Sequence, residues 1–168
     1  MVTKITALTN FPEQQMQQFF ATVAWQRAGQ DFSGQRYSRG HAWQFDGGLS
    51  VPASSSPLSV PLPMSVAENV DPEEALVAAT SSCHMLFFLS LAAQRGYVID
   101  DYRDDAVGEL GKNAAGRLAM TRIVLRPRIV FSGAAPPPEA LAALHHDAHE
   151  RCYIANSLTA DVVVEGAP

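Results

Sequence analysis

Bulky and small side chains alternate in short runs along the first third of the chain, separated by polar turns. Residues 21–27 (ATVAWQR) alternate imperfectly and run into a polar turn at Gly29, Gln30 and Asp31. Residues 37–45 (YSRGHAWQF) place Tyr37, Arg39, His41, Trp43 and Phe45 on one face and smaller residues on the other. Two such runs about a turn predict a β-hairpin. Asp46-Gly47-Gly48 is a tight-turn sequence, and residues 49–53 continue it as a third strand. Residues 54–70, with three prolines and many serines, predict a loop crossing the surface.

The pattern then changes to a helical one. Asp71 stands at an N-cap, Pro72 at the first helical position and Glu74 three residues after the cap. Residues 75–95 are rich in Ala, Leu, Phe and Met and end at Gly96, a helix stop. Such a helix, apolar nearly all round, is expected to be buried on most faces. Residues 101–110 and 118–131 read as strands about a polar turn at residues 112–116, the second alternating apolar and basic residues. Pro136, Pro137 and Pro138 open a second helix over residues 139–151, and residues 157–165 close as a strand. The order β-β-(β)-α-β-β-α-β predicts one α+β domain over residues 1–168, a meandering sheet covering two helices.

Composition narrows the functions open to this domain. A chain of 168 residues, 47% hydrophobic and 17% charged, is globular and suits one core. A net charge of −5 argues against nucleic acid as partner, since that affinity comes mostly from basic residues. No uninterrupted apolar run reaches the roughly 18 residues of a membrane span, and the start lacks a secretory leader, so no membrane partner and a cytoplasmic location are expected. Two cysteines in a reducing compartment make a poor structural staple, leaving inert core residues, a metal pair or a redox couple.

Cys83 lies mid-helix in a polar cluster, Thr80-Ser81-Ser82-Cys83-His84, within an otherwise apolar stretch. A small-residue packing role accounts for this composition as well as reactivity does. As a nucleophile, a buried Cys83 needs help to ionise, because burial raises a thiol's pKa. The helix dipole acts in the first turn, and His84 faces another way. A cation from another element is required, and arginine suits best. Cys152 follows the second helix, where a thiol can move by partial unwinding. His145, His149 and Cys152 also share a helix face at i, i+4 and i+7 with ligand types that zinc favours, so a metal site stands as an alternative.

Residues 71–92 (DPEEALVAATSSCHMLFFLSLA), residues 149–162 (HERCYIANSLTADV) and the separation between the cysteines resemble the OsmC/Ohr family of bacterial peroxidases. The hairpin YSRGHAWQFDGG resembles its short-loop branch, so the likeness covers about residues 20–165 and leaves residues 1–20 as an extension of unknown role. The resemblance implies an antiparallel sheet wrapped around two helices and an intertwined homodimer with active sites at the subunit interface. It implies a cofactor-free thiol peroxidase: Cys83 attacks an organic hydroperoxide and becomes a sulfenic acid, Cys152 closes a disulfide, and a lipoyl-type dithiol restores both. It further implies an activating arginine, Arg39 or alternatively Arg36, and a carboxylate at Glu73, which by itself reads equally as a first-turn acid at a helix N-terminus.

Geometry adds an expectation. Ten helical residues rise about 15 Å, too far for one guanidinium to touch both Glu73 and Cys83 of one straight helix. Either the helix breaks between them or Arg39 and Glu73 serve the partner subunit's cysteine, which is the arrangement expected here. Met64, Trp43, Met85, Phe87 and Phe88 are candidate lining for an apolar mouth suited to alkyl hydroperoxides. The competing functions are metal binding and non-enzymatic carriage of a hydrophobic ligand.

Overall fold

The computed structural model describes residues 16–165. The expected order holds, with two long runs each divided. Strands β1 (Ala21–Ala24), β2 (His41–Phe45) and β3 (Ser50–Ala53) form an antiparallel sheet in which Trp43 faces Val23 and Val51. Helix α1 (Pro72–Gln94) follows, then β4 (Val98–Asp104), β5 (Val107–Lys112), β6 (Leu118–Leu125), β7 (Pro127–Ser132), helix α2 (Pro138–Arg151) and β8 (Asp161–Val164). Tyr37 and Arg39 precede β2 rather than lying within it, so the alternation there extends beyond the strand itself. The first fifteen residues of the expected extension lie outside the described residues.

The capping sequence does what its spacing predicts. The Asp71 carboxylate accepts the Glu74 N–H at 2.8 Å, the Glu74 carboxylate accepts the Asp71 N–H at 3.2 Å, and Pro72 fills the first turn. Gly96, at φ +81°, ends the helix in the left-handed region.

The strand expected over residues 101–110 begins earlier, at Val98, and breaks at Asp105 and Ala106; its partner breaks at Arg126. The pairing nonetheless continues across the break, with Asp104 opposite Pro127 and Val107 opposite Val124. Pro127 has no N–H to give the ladder. The orphaned Arg126 N–H is instead taken by the Asp104 carboxylate at 2.6 Å, so the long hairpin bends without leaving that donor unpaired. β8 returns parallel to β6, Arg122 facing Asp161, which makes this one sheet mixed within an otherwise antiparallel fold.

One core lies between α1, α2 and the β4–β7 ribbon: Phe88, Leu91, Ala92, Leu141, Leu144 and Ala148, with Ile99, Tyr102, Ile129 and Phe131 packed on it. The expectation that α1 is buried on most faces needs correction. Only one stripe of it, Thr80, His84, Phe88, Leu91 and Ala92, is buried within the chain, and Leu86 is 60% exposed. α1 is also, by length and average composition, long and apolar enough to cross a membrane, although polar residues interrupt its apolar runs. Here it is the core helix of an α+β domain.

Candidate functional site

α1 presents three stripes, each with its own surroundings. The buried stripe faces α2 and β4. A second, Ala79, Ser82, Cys83, Leu86, Phe87 and Ser90, lines a cleft of about 620 Å³ together with Phe19, Tyr153 and Ile154. A third carries Glu73, Glu74, Val77 and Ser81 along a separate cavity of about 640 Å³ that also meets Asp104 and Met120.

Cys152 caps the C-terminus of α2 and is fully buried. It continues the α2 stripe of Leu141, Leu144, His145 and Ala148 that packs against α1, and this brings it to Cys83. Both cysteines are unbridged, Cys83 half-buried. Burial pushes the Cys152 thiol up to about 11, the nearby Cys83 thiol adds to the rise through a hydrogen bond and charge, and the Ala155 N–H, 3.4 Å from Sγ, offsets part of it. A short 3₁₀ turn, Ala155–Ser157, holds the segment beyond Cys152. The Asn156 amide donates to the Glu150 carbonyl at 2.9 Å and the Ser157 hydroxyl to the Tyr153 carbonyl at 2.7 Å. Asn156 and Ser157 thus satisfy carbonyls at the helix end, a role visible in the sequence only as a matched motif.

The chain does not by itself bring Arg39 or Glu73 to the thiols. The Arg39 guanidinium lies 3.7 Å from the Tyr37 ring centroid and donates to the Tyr37 carbonyl and, at 3.2 Å, to that of Gln35. Arg36 pairs with Asp31 on the surface. Glu73 lines the cavity on another stripe of α1, and the helix is unbroken between it and Cys83.

The apolar mouth also differs from expectation. Phe87 lines the cleft, edge-on to Tyr153 at 5.2 Å, whereas Phe88 is fully buried core. Met64, Trp43 and Met85 do not line it; Leu86, Tyr153, Ile154 and Phe19 do. Tyr153 escaped the sequence reading because its neighbour on α1 is far along the chain.

Of the expected metal face, His145 takes another partner. His145 turns to His84, with His84 Nε2 and His145 Nδ1 3.1 Å apart and the rings nearly parallel, 8° between planes. Burial pushes both down to about 4, and for His84 the proximity of His145 and His149 adds to the drop. Among the described residues no three His, Cys, Asp or Glu side chains converge as a metal site.

The two helices of this α+β domain thus meet at a pair of thiols beside an apolar cleft. The OsmC-like protein family profile matches residues 66–166, more than half of the chain, and the chain belongs to that family. It is similar to an OsmC-like protein of unknown function from Vibrio cholerae O1 biovar eltor, at 53% identity and a TM-score of 0.87, over 89% of this chain and 99% of that one. Its fold is shared with an organic hydroperoxide resistance protein from Elizabethkingia anophelis, at 15% identity and a TM-score of 0.66, over 90% and 97% of the two chains. OhrB of Bacillus subtilis, also an organic hydroperoxide resistance protein, is 18% identical with a TM-score of 0.59, over 88% and 96%. No curated protein matches the chain.

Proposed function

We propose that this protein is a thiol peroxidase that reduces organic hydroperoxides to alcohols. The observation that carries the reading is the apposition of Cys83 and Cys152 at an apolar cleft, by two elements far apart in the chain. The ionised Cys83 sulfur attacks the terminal oxygen of ROOH; the S–O bond forms, the O–O bond breaks, and the alkoxide takes a proton and leaves as ROH. Cys83 is then a sulfenic acid. The Cys152 thiolate attacks that sulfur, hydroxide leaves as water after protonation, and a disulfide forms. An external dithiol, of the lipoyl type, returns both thiols and is itself oxidised to a disulfide.

The cleft favours an alkyl or lipid chain over hydrogen peroxide, because Leu86, Phe87, Tyr153 and Ile154 offer apolar surface and little to bind a small polar molecule. The working unit is a homodimer in which Arg39 and Glu73 of one subunit serve Cys83 of the other. An unbroken α1 leaves no same-chain route for one guanidinium to reach both groups.

Adding cumene hydroperoxide to reduced protein tests the cycle. At one equivalent, two thiols per chain should disappear in the native protein. In Cys152→Ser only one should, and in Cys83→Ser none. Retention of all thiols in the native protein, with a hydrophobic ligand still bound in the cleft, would favour a carrier and end the peroxidase reading.

A further inference from the structure

Two imidazoles stacked in a core are costly unless their nitrogens are used. His84 and His145 are 1% and 5% exposed, and Phe88 lies against both, with ring centroids 4.4 Å from His145 and 6.5 Å from His84. The pair shares one hydrogen between His84 Nε2 and His145 Nδ1, while His84 Nδ1 has no partner among the described residues. The titratable groups near the pair are His149 on α2 and Asp104 on β4, with Tyr102 of β4 packed on Phe88; Asp104 is held by the Ser81 hydroxyl at 2.5 Å and the Arg126 N–H. Leucines would fill such a space more cheaply. A single directional bond does what leucines cannot, fixing how one helix is turned and set against the other.

The location gives that bond a use. His84 is the residue after Cys83, and His145 stands on the α2 stripe that ends at Cys152. Arg95, just past the end of α1, also pairs with Asp147 of α2, but that ion pair is solvent-exposed on both sides and contributes little. We propose that the buried His84–His145 bond is a positioning pair that sets the approach of Cys152 to Cys83, and so governs closure of the disulfide. The inference rests on the redox reading of these two thiols, but not on which oxidant they meet.

Glutathione redox buffers therefore test it independently of any peroxide, by giving the effective concentration of Cys152 at Cys83. His145→Leu fills the space without the bond. His145→Asn keeps a polar atom near the Nδ1 position. The expected result is a tenfold or greater fall in effective concentration for His145→Leu, a rise of about 30 mV in potential, with His145→Asn within about threefold of the native protein. Equal values for native and His145→Leu proteins, or an equal loss in His145→Asn, would overturn the proposal. Should leucine prevent folding, His84→Gln, which keeps an amide near Nε2, against His84→Asn, which falls short of it, makes the same comparison. A native protein that closes its disulfide in glutathione but keeps its thiols in cumene hydroperoxide would refute the peroxidase reading and leave the positioning pair standing.

Discussion

The sulfur of Cys152 is fully buried, and it is this burial, more than its neighbour, that raises the thiol to about 11. Only the thiolate attacks a sulfenic acid, and below its pKa a thiol's ionised fraction grows about tenfold per pH unit. Conversion of Cys83 to sulfenic acid removes the thiol that adds to the rise but leaves the desolvation in place. Closure of the disulfide is therefore expected to accelerate about tenfold per unit between pH 6 and pH 9. Stopped-flow measurement of the second phase after a peroxide pulse reads this directly, and a flat profile would contradict it. The two buried histidines make a separate prediction. Their folded-state values, about 4, lie below the ordinary 6.5, so between these limits the unfolded chain binds more protons than the folded one. The stability this contributes is complete above pH 6.5 and is lost as pH falls towards 4, by at most about 1.4 kcal/mol per unit for each histidine. Urea unfolding at pH 7, 6 and 5 should show the midpoint falling, and His145→Asn should flatten the decline.

Among the elements, α1 has three stripes with different surroundings, and β5 packs closely against it at Gly108. A Cβ on Gly108 would lie 2.6 Å from Val77 Cγ2 and 2.7 Å from Met120 Sδ. Met120 can swing away; Val77, β-branched on a helix, cannot. Gly108→Ala is expected to cost about 1–3 kcal/mol and to lower the thermal midpoint measurably. No local pattern foretells this, since the side chains that crowd Gly108 come from α1 and β6. What the sequence discloses well is chemistry closed within a few residues: the Asp71–Glu74 capping box, the Gly96 stop and the tight turn after β2. The bend at Asp105 and Arg126 is hidden because it depends on which residues pair across the hairpin, and the parallel return of β8 because its partner is β6, not its neighbour in the chain. The site divides in the same way. Cys83 and Cys152 are recognisable from the motifs around each, whereas the His84–His145 bond joins residues 61 apart and has no motif to announce it.

At the scale of the molecule, a single chain leaves apolar side chains uncovered beside both the cleft of Cys83 and the cavity of Glu73. Leu86 is 60% exposed on α1, and Leu110 55% exposed on β5 beside the cavity that holds Glu73. In the proposed homodimer, a second copy of the chain would supply both cover for these leucines and the missing cation. Symmetry makes the proposal testable, because each residue of a twofold dimer serves two sites at once. Dimers of Cys83→Ser alone, or of Arg39→Ala alone, should be inactive or nearly so. A mixed dimer, isolated by different tags on the two subunits, separates the possibilities. If Arg39 serves its own chain's cysteine, one site lacks the sulfur and the other the guanidinium, and activity is absent. If Arg39 crosses the interface, both lesions fall in one site, the other is whole, and about half the native turnover per dimer should return.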